Sequence, residues 1–382
     1  MKSIYQFTKF RSSTYNQSLK YLVQTQFDAD NKTAILMLNL GGPNSYQEIS
    51  PFLIRFFEDT SVIRIPFGLG PYIARLRGPA KINKQYEKIG GFSPLFKWTM
   101  IQGFLMSKPE GCGFLPAFRY GLPLQEDAIE FAFEKTEGRI QKFLLFSQYP
   151  QYSCSTGGNA IRNAIEQLQK YKTIQPNLEV SVIDSWHKNK FYISAMATLL
   201  NNKLKSQNLV PNETMILFTA HSLPADFVWD GEKYPYYIYE SCQLVIDNLK
   251  NMGISVHFDL SYQSKVGLNK WLRPATHHAL SQYIKNSKFK NIIISPMGFT
   301  SDHLETLYEL DIQLMEDLKK DIESNKKNVV RCDSLNDHPQ FIAALSDLVT
   351  QGLGNKKQCS SKRERCVDCK FEQCDIVNKH NL

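Results

Sequence analysis

Residues 291–309 read NIIISPMGFTSDHLETLYE. The run Ile292–Pro296 is short and apolar, as a buried strand is, and the residues from Asp302 onward follow a helical period. A polar loop separates them, so the stretch reads strand, loop, helix, the unit from which parallel sheets are built. The helix carries Glu305, Glu309 and Gln313 at four-residue spacing, which stacks them on one face beside His303. Asp302 with Glu305 three residues on also has the form of a capping box, and acids in a first turn offset the helix dipole. Helix capping and a site that binds a cation and moves protons are both open on these residues.

The same punctuation recurs along the chain. Strands are predicted at 33–40, 116–120, 141–147, 178–184, 214–220, 256–262 and 291–296, with helices at 124–137, 158–171, 190–205, 236–251 and 302–322. The fold class is therefore α/β, and 382 residues favour two smaller sheets over one. No sequence repeat is evident. In open sheets of this kind ligands collect outside the carboxyl ends of the strands. AHSLP (220–224) places His221 at such an end, directly after TMILFTA. Asn39, Arg119, Tyr120, Ser147 and the segment from Tyr262 to Lys265 fall at other strand ends. LGGPNS (40–45) is the nearest approach to a phosphate-binding loop, and a weak one.

Composition narrows the function. With 42% hydrophobic and 21% charged residues the chain is ordinary globular protein. No apolar run approaches the roughly 18–20 residues that span a bilayer. The net charge of +8 suits an anionic ligand or membrane surface, while the lack of a long basic block in the body argues against nucleic acid. Residues 1–27 carry Lys2, Lys9, Arg11 and Lys20 but no acid, and are rich in Ser, Thr and Gln; residues 1–30 are read as a mitochondrial transit peptide. The segment 62–98 mixes Phe67, Leu69, Tyr72, Ile73 and Leu76 with Arg75, Arg77 and Lys81. It suits either an amphipathic helix packed on the body or a lip that receives a large apolar ligand with carboxylates, or touches a membrane. Of eight cysteines, Cys359, Cys366, Cys369 and Cys374 crowd the tail. The C-x2-C-x4-C spacing over 366–374 is that of metal ligands, for zinc or for an iron–sulfur cluster.

The motifs LNLGGP (38–43), IGGFSPL (89–95), FRYGLP (118–123), QYPQYSCST (148–156), AHSLP (220–224), GEKYPYY (231–237), SYQSKVG (261–267), WLRP (271–274) and FTSDHLETLYELD (299–311) resemble those of the ferrochelatases. These enzymes are lyases that insert ferrous iron into protoporphyrin IX. The resemblance runs from about Ala34 to Cys374. It implies two Rossmann-like lobes, each a parallel sheet flanked by helices, with a porphyrin cleft between them. The first lobe would span 31–157, completed by a helix at 336–355, and the second 158–335, with a cluster-binding tail at 356–382.

Residue by residue, the resemblance implies that His221 takes a pyrrole proton or engages the metal. Glu305 would be its partner across the macrocycle, supported by His303 and Asp302, and Glu309 would continue a proton or metal path. His221 and Glu305 would hold Fe2+ transiently. Asn39, Arg119 and Tyr120 would lie around the porphyrin; Arg77, Lys81, Ser93 and Gln263 would hold its propionates, with Tyr86 and Trp271 beside them. A 2Fe-2S cluster would be bound by Cys154, Cys366, Cys369 and Cys374, leaving Cys359 spare. A homodimer, peripheral on the matrix side of the mitochondrial inner membrane, is also implied. The rival readings are a non-catalytic porphyrin or haem carrier of the same fold and a chelatase for another tetrapyrrole. Leu40, Gln313 and the pair His277 and His278 depart from the family pattern.

Overall fold

The computed structural model describes residues 11–59, 62, 72, 79–264 and 270–354. The centre of the expected lip, with Arg77, and the tail with Cys366, Cys369 and Cys374 lie outside these residues. The chain divides into two units: one holds it through Trp186 and again from Leu345, the other is His187–Ala344.

In the first unit β1 (Thr33–Asn39), β2 (Cys112–Phe118), β3 (Lys142–Ser147) and β4 (Glu179–Ile183) form a parallel sheet in the order β2-β1-β3-β4. In the second, β5 (Thr214–His221), β6 (His257–Gln263), β7 (Asn291–Pro296) and β8 (Asn328–Arg331) repeat that order as β6-β5-β7-β8. The central strands are buried on both faces, which is why they read as unbroken apolar runs. The first core joins Leu36, Leu115, Phe143 and Leu145 to Phe133, Ile161 and Ile165 from the helices Gln125–Lys135 and Gly157–Lys172. The second joins Leu217, Ile292 and Ile294 to Leu280, Ile284, Leu310 and Leu314. Each such fully buried side chain contributes about 1.5–3 kcal/mol.

This order matters for function. From the first strand of each sheet the chain crosses to one side, then returns on the other, so the sheet has a switch point between β1 and β3 and between β5 and β7. Asn39 ends β1, His221 ends β5, and the Asp302–Glu305 loop follows β7.

Several sequence expectations shift. β4 pairs with β3, so the first unit continues to Trp186 rather than ending at 157, and the Trp186 indole donates to the Ser147 carbonyl at 2.9 Å. β2 begins at Cys112, not 116, and carries Gly113 and Pro116, both of which an edge strand tolerates. Gly113 has no room for a side chain, since Phe27 and Asn31 lie where its Cβ would go. The expected transit segment overlaps the fold: Tyr15–Leu22 is a helix, and Tyr15, Ser18, Leu22 and Phe27 are buried. Its lack of acids has a partner-side cause, because Asp127, Glu134 and Glu48 supply the acids it meets. No helix among the described residues is long and apolar enough to cross a membrane.

Candidate active site

His221 is the last residue of β5, and its Nδ1 lies 2.5 Å from the Ser222 carbonyl oxygen. A carbonyl only accepts, so Nδ1 carries the proton and Nε2 is the free position of the neutral ring. That Nε2 faces Glu305 Oε1 at 3.5 Å. His303 repeats the arrangement: its Nδ1 donates to the Ser301 carbonyl at 3.0 Å, and its Nε2 faces Glu305 Oε2 at 3.2 Å. One carboxylate therefore sits between two imidazoles, each presenting the nitrogen that gains a proton. Burial pushes the Glu305 carboxyl up, but the two imidazoles outweigh it and hold the group below its ordinary range.

The 3.5 Å separation corrects the expectation that His221 and Glu305 face each other across a macrocycle. They follow adjacent parallel strands, β5 and β7, and no ring fits between groups in near-contact. They stand side by side.

The capping box is not formed as read. Glu305 faces the imidazoles, and Thr306 caps instead: its Oγ1 accepts from the His303 N–H at 3.0 Å and donates to Asp302 at 3.0 Å. The Asp302 carboxylate also accepts from Ser334 at 2.7 Å and Asn336 at 2.8 Å, and pairs with Arg331 at 3.3 Å. Burial pushes Asp302 up, yet Asn336, Arg331, Ser334 and Thr306 together hold it below the ordinary aspartate value. Asp302 is spoken for; it holds the loop that carries His303 and Glu305.

From Glu305 to Leu314 the helix is wound as a π-helix, becoming α-helical over Met315–Ser324. The i→i+5 closure of such turns is rare and concentrates at functional sites. Glu309 lies next along this helix, and Ser264 donates to it at 2.6 Å from a residue held at φ 67°, a conformation costly for serine. Burial, with the negative charge of Glu305, pushes the Glu309 carboxyl up to about 7. Two neighbouring carboxyls are thus driven apart, one ionised and one holding a proton near neutral pH.

This has a measurable consequence. Unfolded, a glutamate loses its proton near 4.5, whereas folded Glu309 keeps it to about 7. Its contribution is therefore intact below about pH 4.5 and lost as pH rises through 7. Glu309→Gln should be more stable than the parent by about 2 kcal/mol at pH 8, after allowance for partial exposure, and equal to it at pH 4.5. Urea unfolding at the two pH values checks this.

Gln263 ends β6 with its carboxamide engaged inside the unit. Its Oε1 accepts from Thr219 at 2.9 Å and its Nε2 donates to the Glu305 carbonyl at 3.0 Å. It pins the first π-turn to the sheet rather than offering itself to a propionate. Trp271 is half-buried beside the AHSLP segment, in a bridge with Pro224, and its indole N–H is buried with no acceptor among the described residues. His277 and His278 are exposed on the helix Thr276–Asn286.

The first unit gathers its own set. Asn39 Oδ1 accepts from the Gly41 N–H and from Tyr149 Oη, each at 3.0 Å. Gly41 has φ 76° and packs on Phe118, so the glycines of LNLGGP serve a tight turn and not a phosphate. Arg119 donates to Asp59 at 2.9 Å and Asn159 at 3.2 Å. Tyr120 has no exposed surface, and its hydroxyl donates to Asp59 at 2.9 Å, so it braces Arg119 from within instead of lining a ligand surface. Ser93 is buried against Gly42, Tyr86 is buried on the helix Pro79–Glu87, and Lys81 is exposed on that helix. Asp59, Asn159 and Arg331 went unread in the sequence because their partners are tens of residues away, and Ser264 was read only as part of the strand-end segment Tyr262–Lys265.

Comparison with known proteins agrees with these features. The ferrochelatase family model matches residues 32–353. "Ferrochelatase, mitochondrial" of Xenopus laevis is 40% identical over 358 residues, covering 90% of this chain and 84% of that protein. The Drosophila melanogaster protein of the same name is 37% identical, with 90% of each chain covered. The Homo sapiens protein is 38% identical over 362 residues, 92% of this chain and 83% of that one. With His221, His303 and Glu305 gathered at the switch point of a parallel sheet, and similarity running through nearly the whole chain, the protein belongs to the ferrochelatase family.

Proposed function

We propose that this chain inserts ferrous iron into protoporphyrin IX, giving protohaem and releasing the two pyrrole protons. The observation that carries the reading is Glu305 held between His221 Nε2 and His303 Nε2, with Glu309 holding a proton beside it. His221 Nε2 takes a pyrrole proton, and the imidazolium so formed is paired at once with Glu305. Exchange through His303 and Glu309 clears that proton, so the second can follow. Iron enters as substrate, with His221 and Glu305 its transient ligands. Lys81 and Arg77 neutralise the propionates, and the Trp271 N–H, without an acceptor among the described residues, is a donor available to the substrate. The family resemblance assigns Asn39 and Arg119 to the porphyrin, while Asp302, Gln263, Ser93 and Tyr120 position neighbours within their own units. An anaerobic assay with protoporphyrin and ferrous iron should show iron-dependent haem formation; porphyrin binding without turnover would instead fit a carrier.

The reading extends to a 2Fe-2S cluster on Cys154, Cys366, Cys369 and Cys374. Cys154 suits it: Ser153 and Ser155 are buried, while Cys154 between them is half-exposed, just before the helix Gly157–Lys172. A helix N-terminus favours the negative charge of ligating thiolates. Among the described residues no group of three or more metal-ligating side chains occurs, and the other three cysteines lie outside them. When bound, the cluster supplies a one-electron redox group tuned by exposure and hydrogen bonds to sulfur. Cys369→Ser should abolish the iron–sulfur absorbance and acid-labile sulfide of the purified protein. Zinc in the parent, without that absorbance, would reject the assignment. The names of the relatives support mitochondrial placement, and the family resemblance supports a homodimer peripheral to the inner membrane on its matrix side.

A further inference from the structure

We propose that residues 12–30 are a permanent clamp of the first unit, and that a cut maturing an imported chain falls N-terminal to Ser12. The helix Gln125–Lys135 carries Asp127, Glu130 and Glu134 on one face, and Asp127 and Glu130 have no exposed surface. Asp127 receives three hydroxyls from the clamp: Ser18 at 2.5 Å, Thr14 at 2.9 Å, and Ser12. No other side-chain bond to Asp127 occurs among the described residues. Glu134 is held by Tyr15 and Arg11, and Glu48 by Tyr21 at 2.6 Å and Lys20 at 3.5 Å.

Beneath this polar seam, Tyr15, Leu22 and Phe27 join the first hydrophobic core, the Phe27 ring meeting Phe131 at 6.3 Å between centroids. Gly113, which leaves space for Phe27 and Asn31, is the matching concession in β2. A cut at 30 would strip a buried carboxylate of its donors and open the core, each a costly change. A cut before Ser12 spares every hydroxyl on Asp127. The composition that mimics a leader is, over Ser12–Phe27, the complement of three acids on the body.

The place of the cut follows from the clamp; that a cut occurs rests on the mitochondrial reading above. Incubating the full-length precursor with isolated mitochondria and reading the product's N-terminus by mass spectrometry should give a chain that starts at or before Ser12. A product starting after Ser12 overturns the proposed boundary. In the purified full chain, Leu22→Asp should lower Tm by roughly 6–10 °C, and the milder Ser18→Ala by about 2–4 °C. Unchanged Tm values in both overturn the clamp whatever the import result. An uncleaved precursor with the expected Tm losses sinks only the claim of a cut.

Discussion

His221→Ala will lower kcat for haem formation by about 10²–10⁴-fold, the usual contribution of a positioned proton acceptor, or about 3–5 kcal/mol of barrier. Porphyrin affinity should change little, because His221 presents one free nitrogen and that nitrogen serves the proton. The fold should survive, since the ring is partly exposed and, apart from facing Glu305, its one bond among the described residues is to the Ser222 carbonyl. The pH profile separates this role from a merely structural one. In the parent, burial raises Glu305, while His221 and His303, whenever either ring is protonated, hold it down. Without His221 the carboxyl moves up, so the acidic limb of kcat/KM shifts to higher pH. Turnover within about threefold of the parent, with an unmoved limb, would remove His221 from the chemistry.

Much of this site was legible because it is local. A histidine at the end of an apolar run and an acid-bearing segment after another place themselves once the sheets are known to be parallel. What was not legible is long-range. Glu305 has the spacing of a capping residue, and only the packing of β5 beside β7 assigns it to two imidazoles while Thr306 takes over the cap. The idea of two groups flanking a macrocycle failed for the same reason, since sequence distance says nothing about which strands are neighbours. Tyr120 and Gln263 were correctly placed at strand ends, yet their polar atoms are satisfied inside their own units, and satisfaction is a property of partners. The N-terminal segment was ambiguous because a basic, acid-free composition has two origins: a leader recognised elsewhere, or a helix docked on acids of its own fold.

The second large effect lies outside any motif. Arg331 ends β8 with its side chain 9% exposed, and bonds Asp311 through Nε at 2.6 Å and Nη2 at 2.9 Å. Its Nη1 lies 3.3 Å from Asp302. One guanidinium thus ties the loop that carries His303 to the π-helix that carries Glu305 and Glu309. Arg331→Met leaves two carboxylates without their cation, and breaking a buried pair from one side costs about 3–5 kcal/mol. Asp311 is 34% exposed and recovers some hydration, so the low end applies, a Tm loss of roughly 6–12 °C. Arg331→Lys should restore less than half of it, because an ammonium cannot make the two parallel bonds to Asp311.

Acid supplies the internal control. Asp302 is held below its ordinary 3.8, so its contribution is present above that pH and lost as pH falls through the lower folded value. The gap between parent and Arg331→Met should therefore be full at pH 7 and close toward pH 3. Asp302→Asn should lower both turnover and Tm, each by less than Arg331→Met does, since it loosens the loop but keeps the Arg331–Asp311 bonds and spares His221 and Glu305. A Tm for Arg331→Met equal to the parent's would mean that the loop and the π-helix are held by the core alone.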